Sequence, residues 1–104
     1  MTAKLTAPGK LSTLARLELN GWQHLDAQDA IRRTFTFPDF SGAMAWMNSV
    51  ASLAEEMNHH PEWCNVYNRV TVTLTTHSAN SLTQLDIQLA DGMDRLYKDC
   101  NGPP

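Results

Sequence analysis

Three of the chain's four histidines stand where structural elements are expected to end. His59 and His60 follow a long helical pattern, and His77 closes an alternating strand. Imidazole titrates near neutral pH, so these side chains can give or take a proton with little tuning by their surroundings. Neighbours on a regular helix point about 100° apart, so His59 and His60 are poorly placed to chelate one ion but can line two walls of a pocket. Pro61 holds the backbone before it in an extended geometry. Glu55 lies one turn before His59, placed to orient that imidazole or to accept from a nitrogen of a bound ligand. Trp63 and Tyr67 can wall a flat heteroaromatic ligand or serve packing. The competing chemistry is a three-histidine metal site with Glu55 or Asn58 as fourth ligand, but its spacing matches neither a zincin helix nor a zinc finger. His24, in a predicted strand away from the others, reads as solvent-facing.

The elements that must carry these residues are legible in the periodicity. Leu11, Leu14 and Leu17 recur at helical spacing, with Ser12 and Thr13 as candidate caps and Asn20-Gly21 as the stop. Residues 22–25 and 30–37 favour strands joined across Asp26-Ala27-Gln28-Asp29, with Ile31, Phe35 and Phe37 on one face and Arg32, Thr34 and Thr36 on the other. From Asp39 or Ser41 to about Met57 the period turns helical, with Ala43, Met47, Val50, Ala51, Ala54 and Met57 on one face and Trp46 and Leu53 widening it. Residues 63–67 and 70–76 form a second strand pair around Asn68-Arg69, and Val70, Val72 and Leu74 alternate with Thr71, Thr73 and Thr75. Thr83-Gln84-Leu85-Asp86 is a capping box that opens a last helix. There, Leu82, Leu85, Leu89, Met93 and Leu96 make a narrow seam suited to another helix or a symmetry mate. The order helix, two strands, helix, two strands, helix predicts an α+β two-layer sandwich: a four-stranded, mainly antiparallel sheet with helices packed on one face. Residues 1–10 read as a loose arm and 99–104 as a tail of a single domain spanning 1–104.

Composition narrows the function. At 104 residues, with 42% hydrophobic and 18% charged residues, the chain is an ordinary globular domain, too short for a multidomain enzyme. A formal net charge of −3 gives no positive field to attract nucleic acid or an anionic membrane surface. The first residues lack the apolar stretch of a signal peptide, and no apolar run approaches a membrane span, which predicts a cytoplasmic protein. Cys64 and Cys100 fit neither a CxxC pair nor a zinc quartet and read as free thiols. Phosphate-binding loops, GxSxG elbows and activated-cysteine signatures are absent from the sequence.

Glu55-Glu56-Met57-Asn58-His59-His60-Pro61-Glu62-Trp63, then Val66-Tyr67-Asn68, Val70 and Leu74-Thr75-Thr76-His77, closely resembles the pterin-4a-carbinolamine dehydratases. The likeness continues through Leu82-Thr83, Asp86 and Leu89-Ala90, with Gly21-Trp22, Phe35-Thr36-Phe37 and Phe40 upstream, over about residues 11–95. The resemblance implies a lyase that removes water from 4a-hydroxytetrahydropterin to give quinonoid dihydropterin, recycling the pterin after aromatic amino acid hydroxylation. It implies His59 and His77 as general acid/base groups, His60 holding the pterin, Glu55 near it, Thr76 at the pocket edge, and Pro61 and Trp63 shaping the wall. It implies no metal and no organic cofactor, a homodimer or homotetramer, and a functional link to an aromatic amino acid hydroxylase. A non-catalytic pterin-binding or protein-interaction module on the same fold is the alternative. Two positions depart from the family pattern. Ser81 replaces a common glycine, so Asn80 is expected to take the left-handed position there, and Asn58 replaces a common aspartate, removing a charge beside the histidines.

Overall fold

In the computed structural model, which describes residues 3–100, the chain runs α1 (Ala7–Leu19), β1 (Gln23–Leu25), β2 (Ala30–Thr36), α2 (Phe40–Met57), β3 (Glu62–Val66), β4 (Arg69–Leu74) and α3 (Gln84–Cys100). The strands form one sheet in the order β1-β2-β4-β3, antiparallel at every pairing. Register follows the alternation of side chains: Phe35 stands opposite Val70, Ile31 opposite Leu74, and Trp63 opposite Val72. Val70, Val72 and Leu74 are at most 1% exposed, because this face lies under the helices. The other face is polar and bonded across the strands. Arg32 donates to the Thr73 hydroxyl at 3.1 Å, and the Thr34 and Thr71 hydroxyls pair at 3.1 Å. The structure is thus the α+β sandwich that the sequence predicts.

One aromatic cluster joins the layers. The fully buried Phe35 ring lies 4.4 Å from Trp46 of α2, 5.0 Å from Tyr97 of α3 and 5.8 Å from Trp22, centroid to centroid. Arg33 also turns toward the helices. Its guanidinium sits 4.4 Å over the Phe35 ring and donates to Asp94 at 2.7 Å. Asp94 also accepts from the Trp22 indole at 3.0 Å.

Several elements differ from their sequence patterns. α1 starts at Ala7, after Thr6 and with Pro at its first turn, inside the segment expected to be a loose arm. Ahead of it, the Leu5 amide donates to the Leu82 carbonyl and Lys4 bridges Thr83, so the segment is tied to the start of α3. α3 runs on to Cys100, and the rest of the expected tail, Asn101-Gly102-Pro103-Pro104, lies outside the described residues, as do Met1 and Thr2. The expected α3 seam is not free for a symmetry mate: Leu82, Leu89 and Met93 are fully buried in the chain's own core, and Leu96 packs against it. A side chain at Gly92 would overlap Leu53, so glycine permits the close approach of α3 to α2. Ala51, expected on the buried face of α2, is exposed.

A polar cluster around Asp29 fastens the β1–β2 hairpin to its neighbours. Asp29 adopts φ 46°, and its carboxylate accepts from Lys10 Nζ at 2.7 Å, Ser81 Oγ at 2.6 Å and the Leu82 amide at 3.1 Å. His24 Nε2 is 2.9 Å from the same carboxylate, and its Nδ1 is 3.0 Å from Asp26. The solvent-facing position expected for His24 is therefore corrected: its side chain is 21% exposed and held between two carboxylates. Both carboxylates lie in the hairpin's own connection, whereas the groups that hold Asp29 in place come from α1 and from residues 81–82, which the hairpin's sequence does not show.

Two outcomes follow from this packing. Phe35→Ala removes the ring that three elements share and lowers unfolding stability by about 3–5 kcal/mol in urea titration. The second concerns acid. Burial pushes the Asp29 carboxyl up, but hydrogen bonds from Lys10, Ser81, His24 and Leu82 outweigh it and hold this group well below the usual carboxylate range. Its stabilisation is therefore present above an unfolded pKa of about 4 and fades as pH falls below that. Asp94 shifts the opposite way, raised by burial despite its bonds to Trp22 and Arg33, so the pH profile alone mixes the two. Urea unfolding at pH 6 and pH 3 should show a smaller acid loss in Asp29→Asn than in the native chain.

Candidate functional site

The end of α2 fixes the first histidine by local geometry. Asn58 adopts the left-handed conformation (φ 50°, ψ 43°), its amide returns to the Glu55 carbonyl at 3.1 Å, and the His59 amide returns to the Ala54 carbonyl at 3.0 Å. This 6→1, 5→2 pair is a Schellman motif. Asparagine accepts that backbone at little cost, so the position that departs from the family pattern is where the helix is terminated. The turn sets His59 against α3, where it is 9% exposed and its Nε2 lies 2.6 Å from Asp86 Oδ1.

Asp86 is fully buried, and three elements supply its donors. Besides His59, its carboxylate accepts from the Thr76 hydroxyl at 2.8 Å and from the Thr83 amide at 2.9 Å, the latter being half of the predicted capping box. The Thr76 and Thr83 hydroxyls lie 2.7 Å apart. A carboxylate only accepts, so His59 Nε2 carries the proton of its bond. Among the described residues no buried side-chain nitrogen or oxygen lacks a partner. His59 Nδ1 is therefore not a sealed orphan, and it is the ring nitrogen that Asp86 does not engage.

The other two histidines are at the surface, each with a carboxylate of its own. His60 Nε2 is 2.5 Å from Glu55 Oε2, and His77 Nε2 is 2.9 Å from Glu62 Oε1 of β3. Glu55 thus serves His60 and not His59, whose orienting acid comes from α3, 27 residues away. His77 leads a turn closed by a bridge between Thr76 and Ser81, in which Asn80 takes the left-handed conformation at φ 52°, as Ser81 in place of glycine leads one to expect. Thr76 is 5% exposed, and its hydroxyl is engaged by Asp86 and Thr83. Pro61 is half-buried, and Trp63 is half-buried with its ring 6.3 Å from Trp46, so it flanks the core from the site side. Tyr67 is exposed in the β3–β4 turn at φ 50°.

Among the described residues no group of three His, Cys, Asp or Glu side chains is placed to hold a metal ion, because each histidine is directed to a separate carboxylate. A cavity of about 250 Å³ on the polar sheet face reaches Glu62, Trp63 and Cys64 but no histidine. A second, of about 530 Å³, lies between Asn20, Arg33 and the end of α3. Cys64 and Cys100 are free and exposed. The residue that sequence reasoning understated is Asp86: its spacing from Thr83 announces the cap, but nothing in the pattern announces its bond to His59.

The sequence and the fold have parallels in known proteins. The family model for pterin 4 alpha carbinolamine dehydratase matches residues 4–96. A protein from Jannaschia sp. (strain CCS1), named as a pterin-4-alpha-carbinolamine dehydratase, is 47% identical over 96 residues, which are 92% of this chain and 98% of the relative. One from Burkholderia pseudomallei (strain 1710b) with the same name is 49% identical over 98 residues, covering 94% of this chain and 95% of the relative. The crystal structure of a transcriptional coactivator/pterin dehydratase from Brucella melitensis superposes with a TM-score of 0.84 at 46% identity, over 91% of this chain and 99% of that one. A pterin dehydratase-like protein described as a RuBisCO assembly factor in the alpha-carboxysome shares the fold at 22% identity, with a TM-score of 0.65 over 74% of this chain and 89% of that one. By family model, sequence and fold, this chain belongs to the pterin-4-alpha-carbinolamine dehydratase family.

Proposed function

We propose that the chain dehydrates 4a-hydroxytetrahydropterins to quinonoid dihydropterin and water, with His59 and His77 as the acid/base pair. The observation that carries this reading is the buried contact of His59 Nε2 with Asp86, which presents Nδ1 of the imidazole in a fixed direction. The chemistry needs two proton movements. The C4a–O bond breaks as its oxygen takes a proton and leaves as water, and N5 gives up its proton as the C4a–N5 double bond forms. Imidazoles at two edges of a flat ring can serve both steps, since each needs only a group that changes protonation near neutral pH. Holding the ring between them supplies the remaining advantage.

In this reading His60, with Glu55 behind it, holds the polar edge of the pterin, while Pro61 and Trp63 form its apolar wall. Thr76 contributes from beneath, by holding Asp86 in line with His59. The enzyme would recycle tetrahydropterin beside an aromatic amino acid hydroxylase, in the cytoplasm, as a homodimer or homotetramer. No helix among the described residues is long and apolar enough to cross a membrane.

Stopped-flow absorbance of 4a-hydroxytetrahydropterin dehydration tests the reading directly. The native chain should exceed the uncatalysed rate, and His59→Ala and His77→Ala should each lose about 10²–10⁴-fold. A folded native chain that gives only the uncatalysed rate would instead favour a non-catalytic module on the same fold. The two variants should separate in stability. His77 is 78% exposed, so its loss shifts unfolding by no more than about 0.5 kcal/mol, whereas His59→Ala leaves a buried carboxylate short of a donor and costs about 3–5 kcal/mol. Asp86→Asn should lower kcat about 10–100-fold by releasing the His59 tautomer.

A further inference from the structure

We propose that Asp29 is a positioning residue for His77, gripping the chain on both sides of the turn that carries this imidazole. The proposal rests on the dehydratase reading for its kinetic consequence and on the bonds alone for its structural one. Before the turn, the Thr75 hydroxyl donates to the Asp29 carbonyl at 3.1 Å, from 46 residues away. After it, Ser81 Oγ and the Leu82 amide donate to Asp29 Oδ2 at 2.6 and 3.1 Å. His77 lies between these attachment points.

An exposed imidazole depends on its backbone for aim. The His77 side chain contacts Glu62, itself 59% exposed on β3, and such a pair at the surface holds a direction weakly. The turn has its own bonds: Thr76 and Ser81 exchange amide and carbonyl at 3.0 and 3.3 Å, and the Asn80 amide donates to the His77 carbonyl at 3.1 Å. These close the turn on itself and leave its attachment to the rest of the fold to other groups. On one side the attachment is Asp86, through Thr76 and Thr83. On the other it is Asp29, whose left-handed backbone (φ 46°) at the end of the β1–β2 connection aims both its carbonyl and its carboxylate at the turn. Lys10 at 2.7 Å and His24 at 2.9 Å hold the carboxylate from behind, and Lys10 supplies a positive charge. Strong hydrogen bonding to the ionised form fits a group whose charge is in use at neutral pH. Displacement of a catalytic group by about 1 Å can cost 10²-fold in rate, so a clamp on the His77 turn should matter for turnover more than for binding.

The test compares Asp29→Gly with Asp29→Asn in the full-length chain. Glycine keeps the left-handed backbone and removes the carboxylate; asparagine also accepts that backbone and restores an acceptor oxygen for Ser81 and Leu82. Asp29→Gly should lower kcat about 10–100-fold with KM changed less than about threefold, and Asp29→Asn should recover most of that loss. In a His77→Ala background, Asp29→Gly should lower the residual rate no further, because its effect runs through His77. An undiminished kcat in folded Asp29→Gly, or an equal further loss without His77, overturns the proposal. Should Asp29→Gly fail to fold, Ser81→Ala and Thr75→Val each cut one attachment and carry the same comparison, with a several-fold loss of kcat expected and no loss overturning it. Amide hydrogen exchange of residues 76–82 separates this proposal from the dehydratase reading. If the native chain shows no turnover, faster exchange there in Asp29→Gly or Ser81→Ala still supports the clamp, and unchanged exchange overturns it.

Discussion

A carboxylate removed from water must be met by donors on every side, and Asp86 imposes that demand on three parts of the chain at once. It is fully buried and receives the imidazole that follows α2, the hydroxyl that follows β4 and the amide that opens α3. None of these donors can shift alone without leaving a buried charge short of a bond. The cap of the last helix, the end of the central strand and the orientation of His59 are therefore one arrangement. The same contact that stabilises the fold engages Nε2 of His59 and leaves Nδ1 as the ring nitrogen Asp86 does not touch.

The surrounding elements make that arrangement attainable. The Schellman turn at Asn58 reverses the chain after α2 so that His59 returns toward the core instead of continuing outward. The Phe35 cluster holds α2 and α3 against the sheet, and Trp46 donates to the Met93 carbonyl at 3.2 Å, which fixes the two helices relative to each other. Asp29 performs a comparable task at lower burial on the far side of the His77 turn. Two acids, one on a hairpin and one in a helical first turn, thus secure the segment between β4 and α3 from opposite sides.

The fold was legible because its signals are local. Alternation in 70–74, the helical period of α2 and the Thr83–Asp86 box each lie within a few residues and point to the same layers. The left-handed Asn80 was also legible, since Ser81 leaves it as the residue suited to that backbone. The start of α1 was missed because its first turn carries no apolar period, and its tether to Leu82 is a backbone bond invisible in side-chain patterns. The α3 seam looked available because a sequence shows that a stripe is apolar but not what covers it; α2 and the sheet do. That His59 and His60 follow α2 and His77 follows β4 was legible, whereas the partners of these histidines were not. Glu55 at helical spacing suggested His59, but the Schellman turn takes His59 off the helix and leaves Glu55 to His60. His24 pairs within its own hairpin, with Asp26 and Asp29; what the local sequence does not show is that Lys10, Ser81 and Leu82 hold Asp29 in place there.

The central claim is that buried Asp86 fixes the protonation pattern of His59. Long-range ¹H–¹⁵N correlation spectroscopy of the imidazoles in the native chain tests it most directly, since it reports which ring nitrogen holds the proton. The account predicts a His59 ring protonated at Nε2, with that proton shifted far downfield by its bond to the carboxylate. A neutral His59 protonated at Nδ1, with Nε2 bare, would contradict it.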